Sequence, residues 1–166
     1  MVKLTSEDFD QYYELVGNEK VMAMITERAL DEEEALEKFH EFLRNGELHL
    51  EYGTFKVFER KTGKLLGLAK LEILRDRRHE AELGYMLKPD FWGQGFGNEI
   101  TELLLETALS DPSLKRVHAI SDPQNMASRK ILLNKGFSSE KVYAVEGLPS
   151  EQFGRNVDVQ EQQPCF

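Results

Sequence analysis

Leu87-Lys88-Pro89-Asp90-Phe91-Trp92-Gly93-Gln94-Gly95-Phe96-Gly97-Asn98 joins what reads as a strand to what reads as a helix. Upstream, Ala81, Leu83, Tyr85 and Leu87 fall on one face of an extended segment, and Glu80, Glu82, Gly84 and Met86 on the other. Lys88-Pro89-Asp90 breaks that strand. Downstream, Ile100, Leu103, Leu104 and Ala108 recur at helical spacing until Asp111-Pro112. The loop between is a candidate anion site, because a helix N-terminus presents unpaired N–H groups and the positive end of the dipole. Gly95 and Gly97 let the backbone come close to a phosphate. No Lys-Ser or Lys-Thr follows, which excludes a Walker loop. A Rossmann unit should open on a strand–helix–strand, with an acid about 20 residues on. From this loop alone, an ordinary helix-entry turn is an equally good reading.

On the N-terminal side, Phe9, Tyr12, Tyr13 and Val16 predict a helix stopped by Gly17, with Thr5 and Asp8 as a capping box. Asp31 opens a second helix with Glu32, Glu33 and Glu34 at its positive end. Its apolar stripe is Leu36, Phe39, Phe42 and Leu43, and Asn45-Gly46 ends it. The period then changes to that of strands. Phe55, Val57 and Phe58, the loop Lys61-Thr62-Gly63-Lys64 and the run Leu65–Ile73 predict a hairpin, and Arg75 to His79 a polar tip. On the C-terminal side, Val117–Ile120 reads as a strand, Asn125–Asn134 as a short helix and Val142–Val145 as a strand. A last short strand is expected at Val157-Asp158-Val159. Hairpins followed by a strand–helix–strand unit give an α+β domain with a mixed, mostly antiparallel central sheet flanked by helices.

The 166 residues fit a single domain, expected to span 1–166. With 40% hydrophobic and 31% charged residues, the chain is neither disordered nor fibrous. The net charge of −9 argues against nucleic acid and anionic membrane as partners. The single Cys165 excludes a disulfide framework and a thiolate metal cluster, and no metal is expected. No apolar run nears the roughly 18 residues of a membrane helix. With no apolar leader after Met1, the expectation is a cytoplasmic protein. The charge is uneven: residues 1–51 carry net −9, residues 52–137 net +3 and residues 138–166 net −3.

Residues 81–137 resemble the GNAT superfamily of acetyl-CoA-dependent N-acetyltransferases. Trp92-Gly93-Gln94-Gly95-Phe96-Gly97 fits that family's Arg/Gln-x-x-Gly-x-Gly/Ala loop at its two small positions, with Trp92 in place of Arg or Gln. That replacement, with Glu82-Leu83-Gly84-Tyr85 before it, resembles the branch of ribosomal-protein N-terminal acetyltransferases (RimJ/RimL-like). Asn125-x-x-Ser128 and Lys135-Gly136-Phe137 resemble the family's second motif at matching spacing. The resemblance covers residues 52–145 well, as a cofactor-binding core. It leaves 1–51 as a helical acceptor-side segment and 146–166 as a C-terminal segment.

The resemblance implies direct transfer of acetyl from acetyl-CoA to a primary amine, foremost a protein or peptide N-terminus. A polyamine, amino acid or antibiotic is the alternative acceptor, and a non-catalytic acyl-CoA-binding module a third reading. A cationic amine or basic peptide suits the acidic ends, and the protein is expected to be a monomer or homodimer. The strand ending at Met86 and Leu87 should splay from its neighbour and pair with the pantetheine arm. Amides of Gln94, Gly95, Phe96, Gly97 and Asn98 should hold the pyrophosphate, and Asn125 the cofactor arm. The family's tyrosine acid falls on Leu132 here. Ser128 matches the serine that serves in the ribosomal-protein branch, and equally reads as a cofactor contact or a helix cap. Glu82 is the favoured base, since a pocketed carboxylate can have a raised pKa or bind the ammonium through water. An ion-paired strand residue is an equal reading of it. Glu146 and then Glu80 follow as candidate bases. Arg129 and Lys130 are candidates for the adenosine 3′-phosphate. His79 reads as a hairpin-tip residue, His118 as structural and Cys165 as a tail residue.

Overall fold

Seven strands make one sheet in the order β1-β2-β3-β4-β5-β7-β6 in the computed structural model, which describes residues 1–157. The elements in chain order begin with β1 (Val2–Lys3), α1 (Phe9–Val16), α2 (Glu19–Met22), α3 (Glu32–Glu47), β2 (Gly53–Phe58), β3 (Leu65–Leu74) and β4 (Arg77–Leu87). They continue with a 3-10 turn (Pro89–Phe91), α4 (Phe96–Leu109), β5 (Arg116–Ser121), α5 (Met126–Asn134), β6 (Ser138–Val145) and β7 (Leu148–Asn156). Every neighbouring pair is antiparallel except β4–β5. The α+β sheet expected from the sequence is therefore present, with its one parallel pair on either side of α4. Among the described residues no helix is long and apolar enough to cross a membrane.

Period-two alternation gives the sheet two apolar faces. One, with Leu71, Ala81, Leu83, Leu87, Val117, Ala119 and Phe153, packs under α4 and α5. The other meets α1, α2 and α3 through Leu68 against Tyr12, Leu15 and Phe39. Residues 81, 83 and 87 point where the alternation placed them.

Helix α3 starts where Asp31 predicts. The Asp31 carboxylate accepts the Glu34 N–H at 2.9 Å, and Glu34 Oε2 accepts the Asp31 N–H at 3.2 Å, a complete capping box. Hydrogen bonds from Arg28 and from the Asp31 amide hold the Glu34 carboxyl down at about 2.

Several expectations are corrected. Thr5 and Asp8 do interact, the Asp8 carboxylate accepting the Thr5 N–H at 2.8 Å and its hydroxyl at 2.9 Å, but the helix begins only at Phe9. Helix α3 runs one residue past Gly46, and Ala35 rather than Leu36 is buried on it. On α4, Leu103 is exposed, while Thr101 and Leu105 join Ile100, Leu104 and Ala108 inside. The polar tip shrinks to Arg75 and Asp76, and His79 lies within β4. The last described strand is Leu148–Asn156; Val157 follows it, and Asp158, Val159 and Cys165 lie outside the described residues. The boundary drawn at 145/146 falls in the turn between β6 and β7, both strands of the one sheet. Strand β1 and helix α2 carried no sequence signal strong enough to predict them.

Candidate active site

Strands β4 and β5 pair only over Glu80–Leu83 and Arg116–Ala119. Strand β4 continues to Leu87 without a ladder to β5, so the backbone from Gly84 onward lines an opening in the sheet. The chain then turns through the 3-10 turn and enters α4 at Gly95. Gly93 and Gly95 have φ of 69° and 88°, conformations that disfavour any side chain. Nothing lies within 4 Å of where a Cβ on either would sit, so the space above the loop is open.

The amides of Phe96, Gly97 and Asn98 precede the hydrogen-bond ladder of α4, where Glu99 N–H to Gly95 O (3.1 Å) is the bond nearest this end. They are free to converge on an anion. Trp92, the departure from the motif, braces the loop: its indole N–H donates to the Leu87 carbonyl at 2.9 Å, tying the loop to the end of β4.

A cleft of about 600 Å³ runs along this loop. Its walls include Met86, Leu87, Gly95, Phe96, Gly97 and Asn98, with Asn125 and Ser128 on the α5 side. Of the residues expected to hold the pyrophosphate and the arm, only Gln94 is not a wall; its side-chain amide turns back to the Asp90 carbonyl at 2.7 Å. Asn125 caps α5, its Oδ1 accepting the Ser128 N–H at 3.1 Å, which leaves its NH₂ for other partners. Lys20 of α2 and Lys130 of α5 bring positive charge to the cleft. Arg129 does not: its guanidinium makes a bidentate bond to buried Glu151, at 2.6 and 3.0 Å. The reading of Arg129 as a phosphate contact is therefore corrected, and Lys130 alone of the pair faces the cleft. Leu132 is buried in the core. Amides, open space above the glycines and flanking lysines together fit a diphosphate with an extended arm.

The candidate bases lie elsewhere. Glu82 is on the opposite face of β4 from Tyr85, paired with Lys70 Nζ at 2.6 Å. Burial would lower the Lys70 pKa, but Glu82, Glu72 and Glu41 outweigh it and raise the ammonium above its usual value. Burial also raises the Glu72 carboxyl, and Glu72 is the cross-strand partner of Glu82. Glu80 is engaged by Arg77 at 2.9 Å and by the buried His118 ring. Glu146 sits in the β6–β7 turn at φ 51° and lines a second groove, of about 760 Å³, with Glu34, Glu37, Glu41 and Arg44 of α3. The structure brings Ser128 and the loop together and keeps Glu82 and Glu146 on the α3 side.

The GNAT acetyltransferase domain profile matches residues 1–138. This chain belongs to the GNAT acetyltransferase family. The GNAT chain is 31% identical over 86 residues to an uncharacterized N-acetyltransferase of Bacillus subtilis, YoaA, a match spanning 52% of this chain and 49% of YoaA. The chain thus spans about half the length of that curated relative. Its fold resembles the RimL ribosomal L7/L12 α-N-protein acetyltransferase solved with coenzyme A (TM-score 0.77, 15% identity, 95% and 93% of the two chains). It also resembles the Vibrio cholerae spermidine N-acetyltransferase solved with CoA and spermine (TM-score 0.73, 19% identity, 93% and 92%). At these identities the likeness is one of fold.

Within this GNAT site, sequence reasoning missed Tyr85. Alternation places it only on the face shared by Ala81, Leu83 and Leu87, yet its hydroxyl lies against the first turn of α4 and near Ser128. It missed Lys20 as well, because α2 was not foreseen.

Proposed function

We propose that the protein transfers acetyl from acetyl-CoA directly to a primary amine. The observation that carries this is the convergence of unpaired α4 amides and the unladdered end of β4 on one cleft. The loop amides hold the pyrophosphate, Lys20 and Lys130 sit near its phosphates, and Met86 and Leu87 receive the arm along β4. When bound, acetyl-CoA supplies an activated acyl group. Ser128 faces that cleft as proton donor to the leaving thiol, and Glu82, on the α3 side, takes the ammonium proton directly or through water.

The acceptor in this reading is a protein or peptide N-terminus, in keeping with the Trp-Gly-x-Gly-Phe motif and with the open groove between α3 and Glu146. The fold likeness to a spermidine acetyltransferase keeps a polyamine as the alternative acceptor.

The test is thiol release from acetyl-CoA with N-terminal peptides, polyamines and aminoglycosides. Turnover with peptides and not with the others is expected. Acetyl-CoA binding without turnover on any amine would make the chain a binding module. In the same assay Gly95→Trp abolishes cofactor binding, because an indole at φ 88° fills the open space above the loop. Unchanged calorimetric affinity in that variant would disprove the loop assignment.

A further inference from the structure

We propose that Tyr85 stands behind Ser128 as the source of the proton given to the departing thiol, the two hydroxyls forming a relay across the cleft. The proposal rests on the acetyl-transfer reading. Three observations carry it. Tyr85 and Ser128 are both walls of the cofactor cleft. The Ser128 side chain lies close enough to the Tyr85 phenol to act on it. The Tyr85 hydroxyl also lies against the start of α4, where a Cβ on Gly97 would come within 2.7 Å of it, so the absence of a side chain at 97 is what admits the phenol.

The chemistry calls for such a partner. A serine hydroxyl is a far weaker acid than a thiol, so it can hand over its proton only if another replaces it at once. A phenol, near pKa 10, is much closer to a thiol, near 8.5. The position at which a GNAT tyrosine acid would fall is Leu132, which is in the core. The other proton-bearing cleft groups are the Lys20 and Lys130 ammoniums, placed to meet phosphates, and the Trp92 indole, already donating to Leu87.

As the new N–C bond forms and the C–S bond breaks, the bonding pair stays on sulfur. Ser128 gives its proton to that sulfur, and Tyr85 gives its own to Ser128 Oγ. The surplus proton of the amine leaves to Glu82 or water, and solvent restores the phenol. Burial raises the Tyr85 pKa, with the Ser128 side chain partly offsetting the rise, so the group is a phenol throughout the neutral range. Tyr85 acts through Ser128 and is in that sense a positioning residue.

Tyr85→Phe keeps the ring and its packing and removes only the hydroxyl. Its kcat should fall by about tenfold to a hundredfold, within the range of general acid catalysis. The KM for acetyl-CoA, the calorimetric affinity for CoA and the melting temperature should stay near wild type. Tyr85→Phe/Ser128→Ala should be no slower than Ser128→Ala alone, because groups acting in series do not add. In the protein without cofactor, the Tyr85 ring signal of ¹³C-tyrosine-labelled samples, assigned by its loss in Tyr85→Phe, should shift in Ser128→Ala. Wild-type kcat in Tyr85→Phe, losses that multiply in the double variant, or a ring signal blind to Ser128 would each overturn the relay and leave acetyl transfer standing. A wild-type protein that turns over no amine overturns both.

Discussion

Glu82 carries the base assignment, and its carboxylate is already half of an ion pair. Lys70 Nζ holds it at 2.6 Å, with Glu72 across the strand pair and Glu41 contributing to the same local field. One ammonium thus serves several carboxylates, and its own pKa is raised, which keeps it charged through the working pH range. Removing it leaves like charges together, and such carboxylates hold protons more tightly. Lys70→Met should therefore move the acidic limb of the kcat/KM–pH profile to higher pH. Glu82→Gln should lower kcat by about tenfold or more, with acetyl-CoA affinity within about twofold. A profile whose acidic limb is the same in wild type and Lys70→Met would remove Glu82 as the base and point to Glu146 or water. At this scale the sequence was partly legible. Alternation put Glu82 and Tyr85 on opposite faces correctly, but no local pattern announces that Lys70 pairs with Glu82. That pairing arises because the β3–β4 register sets residue 70 opposite 84 and 72 opposite 82.

Among the elements, α5 is the one whose placement matters most to the site, since it carries Asn125, Ser128 and Lys130 into the cleft. Its own apolar anchoring is slight: Leu132 is its one fully buried residue. A polar clamp does the rest. Glu151 of β7, 2% exposed, accepts both Arg129 bonds and the Ser139 hydroxyl at 2.6 Å, pinning α5 to β6 and β7. Hydrogen bonds from Arg129, against the opposing effect of burial, hold the Glu151 carboxyl below its usual range. A depressed native pKa gives stabilisation that is present above the unfolded value, near 4.3, and is lost as pH falls through the lower folded value. Glu151→Ala should lower Tm by several degrees, because it removes the hydrogen bonds to Arg129 and Ser139, while Arg129, 28% exposed, keeps its access to water. It should also weaken CoA binding, because α5 loosens. A thermal melt and a titration with CoA check both, and a variant with wild-type Tm would show that the clamp contributes nothing.

Strand β7 also marks where reading by element failed. Leu-Pro-Ser-Glu-Gln-Phe-Gly-Arg-Asn has Pro149, Gly154 and two charges in nine residues and resembles a loop. It is a strand because β5 and β6 ladder it on both sides, a case of tertiary context overriding propensity. Helix α3 is the opposite case at its N-terminus, since its cap and first-turn acids follow from local chemistry.

Over the whole molecule, the charge partition acquires a location. The only cationic stretch, 52–137, supplies the glycine loop and the α5 start that line the proposed cofactor cleft, where the proposed ligand is polyanionic. The acidic stretches, 1–51 and 138–166, supply the walls of the groove between α3 and the β6–β7 turn. That groove is not uniformly negative. Arg28, Lys38 and Arg44 line it beside Glu34, Glu37, Glu41 and Glu146, and the Arg28–Glu34 pair, at 2.5 Å, is internally neutral. In the proposed reading, short-range pairing to a cationic acceptor would fall mainly to Glu37, Glu41 and Glu146, and the long-range attraction would come from the net charge of the two segments. These two contributions respond differently to salt. The Debye length falls from about 10 Å at 0.1 M to about 3 Å at 1 M, which removes steering and spares close contacts. For a basic peptide acceptor, kcat/KM should fall about threefold or more between roughly 0.05 and 0.5 M salt, with kcat at saturation nearly constant. A neutral peptide of the same length should show no such fall. Equal salt responses for the two peptides would assign the acidity of the segments to solubility alone and take electrostatics out of acceptor choice.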